Sequence, residues 1–480
     1  MVKPILINGV KNSLFLNIII SSLLSIIPFQ NASATAAFSR QTGEPCAACH
    51  MQSYGPWLTQ LGQKFKLDGY VAGNANTLPD ILNPLSAEVV ASYTNTNVGV
   101  PGGTYYSNAN GQSGRNNNVM NDWSAIYYTG RVTSKIGSYL QLNINPQVSY
   151  SMNLAMADIR YADHFKIAGN DITYGISVNN APTMSDFWMS TPAWMYPYTN
   201  SSATIKPAAT PWLNALMGGA NTAGATAYTM INNHLYLEAG GYTSQAAKMA
   251  QGLGVWANAT GTSPQGGLID GGAPYWRMFL QHTVGPHTMM VGTYGLAAKV
   301  VPMYQSGYGT NSYQEYNVDS NYSYMLNADH MLMASFRYSR DNMQMNSSVQ
   351  QGLSDNLSNN LDTVMLMGMW TYKQTYNMTL AWNKMSGTTD ATLYNLSSQD
   401  SGCGVCSSAN GSPNTNSFML GGDYIPFGKG TSKLDPYLNL RFSLQYWAYT
   451  QFNGAASNYD GNGRNASANN TLYFSTNFMF

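Results

Sequence analysis

From about Leu85 to Phe480 apolar and polar residues alternate with a period of two, the signature of strands with one apolar and one polar face. Between Tyr139 and Tyr150, Leu140, Leu142, Ile144, Pro146 and Val148 alternate with Gln141, Asn143, Asn145, Gln147 and Ser149. Leu438, Leu440, Phe442, Leu444 and Tyr446 alternate in the same way with Asn439, Arg441, Ser443 and Gln445. The pattern reaches the last residues through Leu472, Phe474, Phe478 and Phe480. Breaks between strands are of two kinds. Short turns are expected near Ile136-Gly137, Gly169-Asn170-Asp171, Asn232-Asn233, Gly285-Pro286-His287, Asn327-Ala328-Asp329, Gln374-Thr375 and Gly428-Lys429-Gly430. Long Gly, Asn and Ser-rich loops fall at 99–121, 181–225, 245–272, 303–312, 346–360, 391–415 and 453–468. Short turns at one end and long loops at the other predict an all-β fold, a transmembrane antiparallel β-barrel of about 16 strands. Closure also removes the unpaired edges that so long a meander would expose.

The first 84 residues read differently. Residues 1–36 have the form of a signal peptide: Lys3 and Lys11, then a short apolar run from Leu14 to Ile27, then Ala34-Thr35-Ala36 as a cleavage site. That run is shorter than the roughly 20 residues of a spanning helix, so a membrane location has to come from strands. Residues 37–84 carry Cys46, Ala47, Ala48, Cys49 and His50, the C-x-x-C-H pattern of covalent haem c attachment. In that chemistry the two cysteines hold the ring through thioethers and the histidine supplies one axial iron ligand. A disulfide beside a surface histidine is the competing explanation. An export signal before the motif and a barrel pattern after it favour haem, which is attached outside the cytoplasm. Pro56, Trp57, Leu61 and Phe65 predict a short amphipathic helix that ends at Gly69. A segment this short has too little core to fold alone and is expected to dock into the body that follows, as a plug in the pore.

Composition narrows the function. Only 9% of residues are charged, against roughly 25% in ordinary soluble proteins, and the formal net charge is zero. No basic run exists to track phosphates, which sets nucleic-acid binding aside. Few carboxylates also means little stabilisation to lose in acid, so either an acidic medium or a densely hydrogen-bonded membrane barrel accounts for the scarcity. No Ser/His/Asp order, phosphate loop or carboxylate pair suggests catalysis apart from the haem iron.

If apolar residues face lipid, the alternate positions line the pore. Val364, Leu366, Gly368 and Trp370 then face outward and Met365, Met367 and Met369 inward, with Met331, Met333, Met289, Met385 and Met419 assigned the same parity. A thioether is a common second axial ligand of haem c, so Met289, Met331, Met333, Met365, Met367 and Met369 are candidates for the distal position. Ordinary packing by a flexible side chain explains a methionine stripe equally well. His164 competes for the same role, because Asp158, Arg160, His164 and Lys166 share the inward parity. Cys403 and Cys406, in an expected outer loop with no histidine following, predict a local disulfide.

These features resemble the fused outer-membrane cytochrome-porins of iron-oxidising bacteria. The resemblance rests on the leader, the single Cys46 to His50 motif, the stretch from Pro56 to Tyr70, and a barrel ending in an aromatic residue, which also looks like an outer-membrane sorting signal. It implies one haem c bound by Cys46, Cys49 and His50, and an oxidoreductase that takes electrons from extracellular Fe(II). It further implies a periplasmic acceptor, either a small copper protein or a soluble cytochrome c. The sparse charge is similar to that of a member from an acidophile. Two other functions fit the same layout: an outward conduit that reduces external minerals, and a solute porin with the haem as a redox gate.

Overall fold

The fold was analysed on a computed structural model that describes residues 36–73, 83–99, 118–145, 151–188, 190, 204–211, 222–244, 267–302, 306–395, 405–435 and 438–480. The expected leader therefore lies outside the described residues, as do Pro146 to Tyr150.

Among the described residues, seventeen antiparallel strands form one sheet. They are β1 (Leu85–Thr96), β2 (Asn118–Arg131), β3 (Ile136–Asn145), β4 (Ser151–Ile167), β5 (Asn170–Asn179), β6 (Thr222–Ile231), β7 (Leu235–Ser244), β8 (Gly267–Ile269) and β9 (Ala273–Val284). The series continues with β10 (His287–Pro302), β11 (Asn311–Met325), β12 (His330–Gln344), β13 (Ser358–Tyr372), β14 (Tyr376–Gly387), β15 (Thr415–Tyr424), β16 (Asn439–Gln451) and β17 (Thr471–Met479). β8 and β9 pair with successive stretches of β10, so together they occupy one position and the wall has sixteen staves. β1 pairs with β2 on one side and with β17 on the other, which closes the cylinder. The expected all-β barrel and strand number are therefore borne out.

Alternation sorts the two faces as its period requires. On β13, Leu366 is 45% exposed while Met367 is 4% exposed. Outward positions carry Leu, Val, Phe, Trp and Tyr, and no helix among the described residues is long and apolar enough to cross a membrane. At the short-turn end the outward aromatics form a belt of neighbours. It runs from His330 and Trp370 through Tyr372, Tyr376, Tyr424 and Phe442 to Phe474, with ring centroids between 4.9 and 6.5 Å apart. Such girdles mark the boundary of an apolar band.

Two turns differ from expectation. The β2 to β3 turn lies at 132–135 rather than at Ile136-Gly137, because Thr133 Oγ1 accepts from the Lys135 and Ile136 amides and closes the chain one turn earlier. Gly428 to Gly430 belong to a longer connection, 425–438, in which Asp435 accepts from the Gly428, Lys429, Thr431 and Ser432 amides.

Placing a charge on the outward face should separate lipid-facing from rim positions. Leu366→Arg, in mid-strand, is expected to destabilise the barrel by about 2–4 kcal/mol, and Leu472→Arg, near the long-loop rim, by about 0–1 kcal/mol. Denaturant titration of the barrel refolded into vesicles measures both.

Candidate functional site

Residues 36–73 carry three short helices: α1 (Ala36–Thr42), α2 (Cys46–Cys49) and α3 (Gln60–Leu67). Helix α2 is the C-x-x-C pattern itself, with His50 as its C-cap donating its amide to the Cys46 carbonyl at 2.9 Å. The chain then doubles back, so that His50 and Leu58 form a β-bridge and the Met51 amide donates to the Trp57 carbonyl at 2.9 Å. Thr59 begins α3: its hydroxyl accepts from the Gly62 amide and donates to the Ala48 carbonyl at 2.6 Å. Gly62 allows this close approach, because a Cβ there would stand 2.2 Å from the Cys49 carbonyl oxygen.

The helix thus starts at Gln60, later than the Pro56 to Phe65 pattern predicts. Thr59 is the better N-cap, and starting there turns Leu61 to solvent (49% exposed) while Gly62, Gln63, Phe65, Lys66 and Leu67 are buried.

The segment packs against inward residues of the wall near the short turns. The Ala47 amide donates to the Gly428 carbonyl at 2.9 Å, and Gln52 Nε2 donates to Asp423 Oδ2 at 3.2 Å. Asp423 is itself paired with Arg441, at 2.8 Å. The Tyr54 hydroxyl donates to Glu88 on β1, and Tyr70 Oη donates to Asp158 Oδ2 at 2.8 Å on β4. Asp158 and Arg160 form a fully buried ion pair at 2.7 Å, and Arg160 Nη1 donates back to the Lys66 carbonyl.

Met51 and Trp57 join a buried group with Met331 and Met333 on β12, Met367 and Met369 on β13, Ala381 on β14 and Met419 on β15. Four of the six methionines proposed as distal ligands are thereby gathered beside the residue that follows His50. Met365 is buried and inward but lies outside that group.

Met289 does not face inward. It is 45% exposed on the outer surface, and its neighbour Met290 points in at 1% exposure. Two adjacent methionines leave the alternation ambiguous, and the β10 to β11 register resolves it. His164 is also not enclosed. Its side chain is 51% exposed at the short-turn rim, with Nδ1 bonded to Thr173 Oγ1 at 2.9 Å and Nε2 at 3.4 Å from Asp68.

A second inward layer escaped the sequence reading. The residues that follow β5 fold against the inner wall rather than outward: Phe187 and Trp188 pack on Tyr236, Phe279 and Met290. Arg337 Nη1 donates to the Ser190 carbonyl, and Asn321 Nδ2 to Ser190 Oγ at 2.8 Å. Arg277, beneath it, makes a two-pronged pair with Asp319 at 2.6 and 2.8 Å. Lys66 ties this layer to the N-terminal segment, because its Nζ donates to the Asp186 carbonyl at 2.7 Å. The signal for it was present in outline: charged residues at lumen-parity strand positions need buried partners, and a loop of forty residues can supply them.

No family model and no curated protein matches this chain. Among solved structures it is similar to OmpT, an outer membrane protein of Vibrio cholerae, at 7% identity and TM-score 0.41, over 82% of this chain and 98% of that one. It is also similar to the outer membrane channel DcaP of Acinetobacter baumannii, at 11% identity and TM-score 0.42, over 82% and 96%. The anion-selective porin from Comamonas acidovorans matches at 10% identity and TM-score 0.39, over 82% and 98%.

The residues present suit a covalently held haem. Two thiols one helical turn apart, a histidine directly after them and a thioether cluster in contact with the next residue form the donor set of a c-type site. Burial, with the neighbouring Cys46 and Glu44 adding to it, pushes the Cys49 thiol up to about 11. No three His, Cys, Asp or Glu side chains gather into a metal site among the described residues, those of Cys46, Cys49 and His50 included. Cys406 is disulfide-bonded, and Cys403 lies outside the described residues.

Burial, reinforced by Arg160 and opposed by Asp158, Asp186 and Glu238, pulls the Lys66 ammonium down to about 8. The unfolded segment binds that proton more readily than the docked one between pH 8 and the ordinary lysine value of about 10.4, so docking tightens as pH rises through that window. With Cys49 replaced by alanine, so that its raised thiol does not oppose the trend, protease protection of residues 36–73 is expected to increase from pH 8 to 9.5, and to lose that increase when Lys66→Met is added.

Proposed function

We propose that this chain is an outer-membrane c-type cytochrome that takes electrons from extracellular Fe(II) and delivers them, through one haem on Cys46, Cys49 and His50, to a periplasmic copper protein or soluble cytochrome c. The observation that carries the reading is the seating of the C-x-x-C-H helix against the inward wall at the short-turn end, beside a cluster of thioethers. In barrels of this class short turns face the periplasm and long loops the exterior. An electron carrier at that end is reached by a periplasmic acceptor, while the donor remains on the far side of the membrane.

A bound haem supplies a reversible one-electron carrier whose potential is set by its axial ligands and its burial. The chain's own contribution is position and insulation. Cys46 and Cys49 would tether the group, His50 would supply an iron ligand, and Met331, Met333, Met367 and Met369 would offer thioether sulfur as a further donor. Residues 36–73 act as the plug, and Phe187, Trp188 and Ser190 add to the filling of the lumen beside them.

A second reading, a solute channel gated by the redox state of the segment, is favoured by the polar inner wall of the closed barrel, where Glu315, Asp319 and Arg337 line the interior. The two readings differ in what they pass. Purified protein in planar bilayers is expected to show little conductance as an electron conduit, and steady single-channel steps as a porin.

Oxidised protein is expected to be reduced by Fe(II) at acidic pH, seen as sharpening of the haem absorption bands. Bands that stay oxidised with Fe(II) and change only with stronger reductants would overturn the assignment. Cys46→Ala with Cys49→Ala should remove covalently retained haem on denaturing gels and leave the barrel assembled.

A further inference from the structure

The turn between β13 and β14 breaks a local rule. Its central residues, Lys373 and Gln374, have φ of 52° and 50°, and the Thr375 amide donates to the Tyr372 carbonyl at 3.0 Å. Two left-handed residues closed by that bond make the turn geometry that favours Asn and Gly, with Thr375 as a third loop residue before the Tyr372–Tyr376 pair. The β6 to β7 turn follows the preference, with Asn232 and Asn233 at φ 51° and 57°. Long side chains such as lysine and glutamine are uncommon in this conformation, and residues held there cluster where the surroundings impose them.

What the surroundings impose is visible at Gln374. Its side-chain Nε2 donates to the Ala47 carbonyl at 2.8 Å and to the His50 carbonyl at 2.7 Å. Its backbone carbonyl accepts from the Ser53 amide at 3.3 Å and from Ser53 Oγ at 2.8 Å. One turn residue therefore grips the motif within its helix, at its histidine and three residues beyond. Asn439, at the start of β16, completes the bracket by donating Nδ2 to the Ser53 carbonyl at 2.6 Å. The left-handed backbone is what lets both ends of Gln374 face the segment at once.

We propose that Gln374 is a positioning residue that fixes the His50-bearing turn against the barrel and thereby holds the potential of the haem. This rests on the haem reading above. A ligating histidine gains a defined orientation from what holds its backbone and its shell, and the shell also controls access of water. Without the amide the Ala47 to His50 turn is free to tilt, water reaches the ring, and the more highly charged oxidised iron is favoured.

The test uses the full-length, haem-loaded protein in detergent, with a redox titration followed optically and EPR of the oxidised iron. Gln374→Met keeps length and volume and removes both donors. Gln374→Gly removes them and relaxes the left-handed backbone, which guards against a turn that fails to fold. Both are expected to lower the ratio of reduced to oxidised haem about tenfold at fixed potential, about 59 mV for a one-electron couple, and to broaden the EPR signal. Lys373→Gly relaxes the same turn with the amide retained and is expected to titrate as the wild type. Wild-type potential and line width in both Gln374 variants overturn the positioning role and leave the haem reading intact. Absence of covalent haem in the wild type overturns the reading itself. A shift in Lys373→Gly equal to that in Gln374→Gly assigns the effect to the turn and overturns the role of the amide.

Discussion

Pairing of the first strand with the last is the constraint on which everything else depends. A bilayer offers no water to backbone amides and carbonyls, so a β-structure crosses it only when no edge is left open. β1 and β17 meet this requirement through nine consecutive residue pairs, from Glu88 opposite Met479 to Thr96 opposite Thr471. Once the cylinder is closed, alternation commits half of every strand to the interior. A ring of sixteen staves is wider than its own side chains can fill. The N-terminal segment and the described residues between β5 and β6 occupy part of that width, and each brings polar groups that require partners.

Those partners explain where the few charges of this chain have gone. Asp158 with Arg160, Arg277 with Asp319, and Asp423 with Arg441 all face inward, and each is also hydrogen-bonded or adjacent to an inserted residue. Buried pairs add little net stability, because desolvation offsets attraction, and removing one partner is what costs. Their effect is selectivity of fit: Arg160 accepts only a chain that brings the Lys66 and Met184 carbonyls to it. The outer surface needs none of this, and its aromatic belt and aliphatic band are nearly free of charge.

Strand faces were legible in the sequence because their period is fixed by backbone geometry. Leu440, Phe442 and Leu444 against Arg441, Ser443 and Gln445 admit one assignment only. The Cys46 to His50 pattern is equally plain as a pattern, since its spacing is local, and the haem it implies belongs to the proposal. Met289 was misassigned because Met290 beside it is just as apolar, and only pairing with β11 decides between them. The start of α3 was displaced because Trp57 fits a helical stripe, yet it is held in an extended return against Met51 by a contact that periodicity does not encode. Gln374 left no pattern beyond an unsuitable residue in a tight left-handed turn, and that mismatch becomes informative once its partners are seen. The inward residues between β5 and β6 were hidden for a different reason: the stretch was grouped with the polar loops, although Met184, Phe187 and Trp188 in it are large and apolar, and composition alone does not say on which side of a wall a connection lies.

Tyr54 has a consequence for the order in which the molecule comes together. It reaches Glu88 on β1, where Asn477 of β17 also donates, and it packs beside Met479, while Ser53 next to it is held from β16. The N-terminal segment therefore spans the seam at which the two ends of the chain meet. Its binding surface is complete only when synthesis has finished and the cylinder has closed, so full docking of the segment follows closure of the wall.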